Sequence, residues 1–299
     1  MMGMYGLFLI AALAVGCAVY AYTAKREGVA LKTLPLLAAA GALMGALCGR
    51  LYLHLAKYTV NGMGLYGFTP LSSRPYEYAA CGVILGVLLT AALTAKAMKQ
   101  RVMPVFDALA PAGLLALAVA RFGEHFSDFG WGPVFENEFW HFFPVAVPDM
   151  YEQWHLAVYL LEGVFALAVG VYALRVKTER SGDRFLTALL WFAASQIFCE
   201  SMRTETIRWG FVRVQQLQCA VFMLIVLLVY ALRVRGEGKG RLTAYAAAAF
   251  VLGIGAVVFA EYALDKIDAL STPVCYALMA AALIGMSAVI TRLGRAKKA

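Results

Sequence analysis

Nine stretches of this chain are apolar over a bilayer's thickness: 4–22, 34–57, 77–95, 102–121, 154–174, 185–202, 214–232, 242–264 and 270–291. Crossing the hydrocarbon core as a helix takes roughly 20 such residues. The expected fold class is therefore an all-α polytopic integral membrane protein of about nine transmembrane helices. Composition agrees, with 62% of the 299 residues hydrophobic and 15% charged; soluble domains are about half apolar and a quarter charged. The joints are short except 122–153, and no linker or low-complexity tract marks a second soluble domain.

The basic residues orient the bundle, because they favour the cytoplasmic side. Eighteen of the 26 Lys and Arg residues fall on one side of a nine-span arrangement, from Lys25 and Arg26 through Arg233 and Arg235 to Lys297 and Lys298. This predicts an outer N-terminus and a cytoplasmic C-terminus. The net charge of +8 then reflects topology and attraction to anionic lipid. Nucleic-acid binding is excluded as a reading, since no basic patch is interleaved with exposed aromatics. The string LAVGC at 13–17 looks like a lipoprotein cleavage box. A signal peptide carries positive charge ahead of its apolar core, and residues 1–24 carry none. The first helix is expected to be retained. All six cysteines lie in spans without CxxC spacing and read as small buried hydrophobes.

An ionisable group inside a span is costly and marks function by default. Arg50, Asp107, Glu162 and Glu261 are such groups, and Arg121, Glu124, Glu200 and Arg203 gather at the outer ends of their spans. Each has an ordinary alternative. Glu200 and Arg203 are spaced as a helix pair, Arg121 is placed to snorkel, and Asp107 to cap a helix. The short joint 203–213 adds Arg208 and Arg213 to Arg203, and guanidinium forks match phosphate oxygens. The joint 122–153 is rich in Phe and Trp, as membrane interfaces are. It is expected to lie as an arm on the outer leaflet and partly cover the site. It also holds His125 and His141, with His155 nearby, among Glu124, Asp128, Glu136 and Glu138. No spacing there matches a two-ligand helix motif, so no metal is expected, and no cofactor.

Several strings, taken in order, resemble the bacterial prolipoprotein diacylglyceryl transferases. They are YGL at 5–7, GRLYLHL at 49–55, DALAP at 107–111 followed by RFG at 121–123 and WG at 131–132, and LLWFAASQIFCESMRTE at 189–205. The resemblance covers about 1–235 and implies a seven-helix membrane domain with the arm 122–153. Residues 236–299 would add two further transmembrane helices. The implied activity transfers the diacylglyceryl group of phosphatidylglycerol to a cysteine thiol of a secreted prolipoprotein, with glycerol phosphate leaving. The implied partners are an anionic phospholipid and a prolipoprotein signal peptide, at the outer face of a bacterial cytoplasmic membrane. Tyr5, Arg121, Glu124, Glu200 and Arg203 become the candidate catalytic residues, with Glu200 or Glu124 as the base. Arg50, Cys81, Gly132, Gln196 and Arg208 become the lipid-binding candidates.

The departures from the family pattern are specific. Glu124 stands at an asparagine position, Phe129 at an acidic one with Asp128 adjacent, Cys81 at a third-span histidine position and Gln196 at a sixth-span arginine position. Pairing of Arg121 with Glu124 is expected, which would either hold the arginine in a resting site until substrate frees it or, if permanent, leave a site that no longer handles phosphate. Two other readings are carried forward: a non-catalytic family member that binds anionic lipid or a membrane partner, and a small-molecule transporter. Only Glu162 and Glu261 favour the transporter.

Overall fold

The computed structural model describes residues 2–58, 68–71, 78–127, 129–209, 212–235, 238–266 and 270–296. Among them are nine helices long and apolar enough to cross a membrane, so the chain is a multi-pass, all-α membrane protein. They are α1 (Met2–Arg26), α2 (Thr33–Tyr58), α3 (Ala80–Ala97), α4 (Val102–Gly123), α5 (Val158–Arg175), α6 (Asp183–Met202), α7 (Val214–Arg233), α8 (Gly240–Lys266) and α9 (Thr272–Gly294). Each apolar run of the sequence corresponds to one helix, because in lipid the backbone must satisfy its own hydrogen bonds.

The chain divides into two compact units, Met1–Ala188 with Arg203–Gln215, and Leu189–Met202 with Gln216–Ala299. In the first unit α4 is the hub, packed by α1 on one flank and α5 on another, while α2 pairs with α3. Small residues set these approaches. A Cβ on Gly82 of α3 would lie 2.5 Å from Tyr52 Cβ and 2.6 Å from the Cys48 carbonyl of α2. Close backbone approach of this kind supplies van der Waals contact where lipid offers no hydrophobic drive. Buried side chains lock the α1–α4 seam: Thr23 Oγ1 donates to the Ala108 carbonyl at 2.8 Å.

The long joint before α5 is folded. It begins with a 3₁₀ turn, Glu124–Phe126, and carries an antiparallel pair, β1 (Ala146–Pro148) with β2 (Trp154–Leu156). Val147 faces His155 in that register. A second short pair, β3 (Arg208–Trp209) with β4 (Val212–Arg213), lies between α6 and α7. In the second unit α8 packs on α9. Gln216 of α7 donates to Glu261 of α8 at 2.6 Å, and Trp191 of α6 donates to Thr291 of α9 at 3.2 Å.

Asp107 is a cap, but of a helix other than its own. Fully buried in α4, it accepts from the Gly182 amide at 2.5 Å and the Phe185 amide at 2.8 Å. It thereby satisfies N–H groups that the start of α6 leaves without intrahelical partners. Arg184 in the same turn pairs with Glu27. Replacing Asp107 by Ala should lower stability by about 1–3 kcal/mol, and Asp107→Asn, which keeps an acceptor, by less. Thermal unfolding of the detergent-solubilised protein measures the difference.

Candidate active site

Four charged side chains close a ring inside the first unit. Arg121, in the last turn of α4, places Nη1 2.5 Å from Glu124 Oε1 and Nε 2.8 Å from Glu162 Oε2. Arg203 places Nε 2.7 Å from Glu162 Oε1 and Nη2 3.6 Å from Glu124 Oε2. Two guanidiniums thus share two carboxylates. The side chains are 1% exposed at Glu162, 9% at Arg121 and 13% at both Glu124 and Arg203, so Glu162 is the sealed corner. Taking charges out of water is tolerated only when they are paired, and here each cation touches both anions.

The elements that bring these groups together are distinct. Glu162 is delivered by α5, where Gly163 lets α4 approach: a Cβ there would lie 3.3 Å from Arg121 Cβ and 2.5 Å from the Phe122 ring. Arg203 follows the end of α6 at Met202. Two neighbours hold its backbone. Thr204 donates to the Trp131 carbonyl from its amide at 3.2 Å and its hydroxyl at 3.1 Å, and Arg213 Nη1 donates to the Arg203 carbonyl at 3.0 Å. Glu124 begins the 3₁₀ turn that continues α4.

Gly130 sits against the ring. Its φ of +78° is in the left-handed region, and a Cβ there would stand 2.9 Å from Glu124 Oε2, 2.9 Å from Tyr159 Cβ and 3.2 Å from Arg203 Nη2. Glycine alone meets both demands without cost. Two ring atoms, Glu124 Oε2 and Arg121 Nε, are buried without a hydrogen bond of good geometry among the described residues. Glu124 Oε2 faces only the longer contact to Arg203, while its Oε1 makes the ring's shortest contact, to Arg121; with 13% exposure against 1% for Glu162, Glu124 is the less sealed corner.

Of the candidates read from the sequence, Arg121, Glu124 and Arg203 meet in the ring. Tyr5 of α1 lies within electrostatic reach of Arg121 and Glu124. Gly132 is buried beside them in the chain, its amide donating to the Leu156 carbonyl at 2.8 Å. Arg50 donates to Thr69, at 3.1 Å to its carbonyl and 2.9 Å to its hydroxyl. Cys81 is buried at the start of α3, and Arg208 is exposed on β3. Glu200 and Gln196 are both buried on the part of α6 that belongs to the second unit. Asp128, the neighbour of Phe129, lies outside the described residues. Sequence reasoning left Glu162 out of the site, although it is the one charge inside the α5 run before Arg175. That solitary charge was the available signal.

A bilayer-spanning helical protein in which two arginines, one buried and one part-buried, are bridged by one buried and one part-buried glutamate is the class that fold and site define. The family model for prolipoprotein diacylglyceryl transferase matches residues 1–232. The chain belongs to that family. A phosphatidylglycerol–prolipoprotein diacylglyceryl transferase of Clostridium novyi is 25% identical over 191 residues, covering 61% of this chain and 72% of the relative. One from Bacillus cereus (strain B4264) is 23% identical over 245 residues, covering 79% and 88%. One from Listeria innocua is 27% identical over 158 residues, covering 50% and 56%.

Glu162→Gln should remove the sealed corner and cost about 3–5 kcal/mol, the usual result of breaking a buried pair. Gly130→Ala should also destabilise, through its φ and its overlap with Glu124 and Tyr159. Unfolding of each variant in detergent checks both. A Gly130→Ala protein as stable as the parent would mean that the ring is loosely held.

Proposed function

We propose that the chain transfers the diacylglyceryl group of an anionic, phosphatidylglycerol-like phospholipid to the cysteine thiol of a secreted prolipoprotein. The reaction would take place at the outer face of a bacterial cytoplasmic membrane, with the N-terminus outside and the C-terminus inside. The observation that carries this reading is the pair of guanidiniums, Arg121 and Arg203, held side by side by shared carboxylates. The family supports it, and the matched relatives carry that activity in their names.

The chemistry follows from the geometry. The leaving group is a phosphate ester, so negative charge grows on its bridging oxygen as the carbon–oxygen bond breaks. Preorganised cations in a water-poor site stabilise such charge without reorganising, and guanidiniums match phosphate oxygens bidentately. In the resting ring that charge is compensated. An entering phosphodiester would compete with the carboxylates for the guanidinium donors. Glu162 is sealed and keeps both arginines aligned. Glu124, at the less sealed corner, yields, and Arg121 and Arg203 turn to the phosphate.

The same compensation favours a second reading, in which the chain binds anionic lipid without turnover. A bacterium depleted of its own diacylglyceryl transferase separates the two. Expression of this chain should restore growth and lipoprotein processing. Arg121→Ala and Arg203→Ala should each lower transfer on the order of 10²–10³-fold, the usual cost of removing a charge-stabilising donor. Glu124→Gln leaves the ring with one net positive charge and should tighten binding to phosphatidylglycerol vesicles. Membrane-inserted protein that fails to rescue growth yet binds those vesicles would establish the second reading.

A further inference from the structure

The attacking sulfur must be a thiolate, so a transferase of this kind needs a group that takes the thiol proton. This inference rests on the transferase reading above. Glu124, a candidate for that role from sequence, is committed to ion pairs with Arg121 and Arg203, and Glu162 is committed to the same two arginines. In the resting ring such a carboxylate, its oxygens taken up by two guanidiniums, is a poor proton acceptor; a Glu124 released by the entering phosphodiester is the rival base.

One residue beyond Glu124, the chain presents an exposed imidazole. His125 lines a cavity of about 360 Å³ that also has Trp131, Val147, Pro148 and Met150 in its walls. Its Nδ1 lies 2.8 Å from the hydroxyl of Tyr159. Tyr159 is fully buried and joins this cavity to the ring: it is Tyr159 Cβ, together with Glu124 and Arg203, that a side chain at Gly130 would strike. Edge contacts with Phe126 and Phe143, at ring distances of 5.2 and 5.3 Å, fix the imidazole further. The other arm histidines are engaged. His141 is bonded to the Phe135 carbonyl and stacked on Trp154. His155 uses both ring nitrogens, on the Gly132 carbonyl and on Asp149.

We propose that His125 is the general base of the reaction and that this cavity receives the residues around the acceptor cysteine. Nδ1–H donates to the Tyr159 oxygen, which leaves the Nε2 lone pair for the thiol. The S–H proton passes to Nε2, and sulfur forms a bond to the terminal glyceryl carbon. The bond from that carbon to the phosphate oxygen breaks, its electron pair leaving with glycerol phosphate. The imidazolium proton then passes to the departing phosphate, which restores the base. Among the described residues, the titratable groups that face His125 or its cavity are Tyr159 of α5 and Asp149 of the arm, with its partner His155, and Glu124 precedes it on the same turn. Trp131, Val147, Pro148 and Met150 give the cavity an apolar side suited to an apolar peptide segment, and Ser127 and Asp149 line it as well.

The test uses the full chain in phosphatidylglycerol vesicles with a synthetic peptide that carries one cysteine after an apolar stretch. Thioether formation is followed from about pH 6 to pH 9, a range that brackets ordinary imidazole and thiol titration. His125→Gln should lower the rate on the order of 10²-fold at neutral pH, within the usual contribution of a general base. The variant should recover toward high pH, where the thiol ionises unaided. Tyr159→Phe should lower the rate less and keep the parent's pH profile. Vesicle binding by His125→Gln should equal the parent's, which checks its fold. Parent-like rates in His125→Gln overturn the inference alone. So does a loss that is uniform across pH. A parent protein that transfers nothing overturns the transferase reading, and the base with it.

Discussion

Everything near the site depends on two guanidiniums and two carboxylates buried together. A single buried charge would cost several kcal/mol after relaxation, and an arginine cannot escape by losing its proton. Arg121 and Arg203 are therefore tolerable only because Glu162 and Glu124 reach both of them. The requirement runs outward. The junction after α6 must end at Met202 so that Arg203 can turn toward Glu162, the arm must offer the Trp131 carbonyl to Thr204, and position 130 must lack a side chain.

The ring also explains why an arginine can sit at the end of a span. An asparagine at position 124 would leave the two guanidiniums with more uncompensated positive charge. Here Glu124 brings the ring to neutrality at rest. On the proposed function, substrate entry would exchange one anion for another rather than fill a ready cationic hole. Such exchange favours ligands that bring their own phosphate and disfavours neutral lipids, because only an anion can replace what Glu124 gives up. Glu124, the less sealed carboxylate, is also the one whose Oε2 makes no hydrogen bond among the described residues.

Away from the site the fold is built by close approach. Gly82 on α3 and Gly163 on α5 admit a neighbouring helix to within contact of backbone or Cβ. Asp107 pins the start of α6 to α4. In the second unit, Gln216 and Glu261 join α7 to α8, and a Cβ on Gly253 of α8 would lie 2.8 Å from Met286 Sδ of α9. Residues 240–294, beyond the family match that ends at 232, thus form a helix pair with its own polar link to α7.

The sequence by itself determined the nine spans. A bilayer imposes a fixed length of apolar residues, and that length is visible without knowledge of any neighbour. It also determined the Arg121–Glu124 contact, because residues three apart on a helical turn share a face whatever surrounds them. Only the tertiary structure decided the rest of the ring. Glu162 is 41 residues from Arg203, and no local period relates them. Read locally, Arg203 looked like a helical partner of Glu200, since the same spacing is seen in ordinary helix pairs. The end of α6 at Met202 takes it out of the helix and toward α5 instead. His125 was legible as a histidine in an aromatic joint, but not as a residue held by Tyr159 beside a cavity. Its place depends on how β1, β2 and α5 converge, and such convergence is a property of packing, which hydropathy does not record.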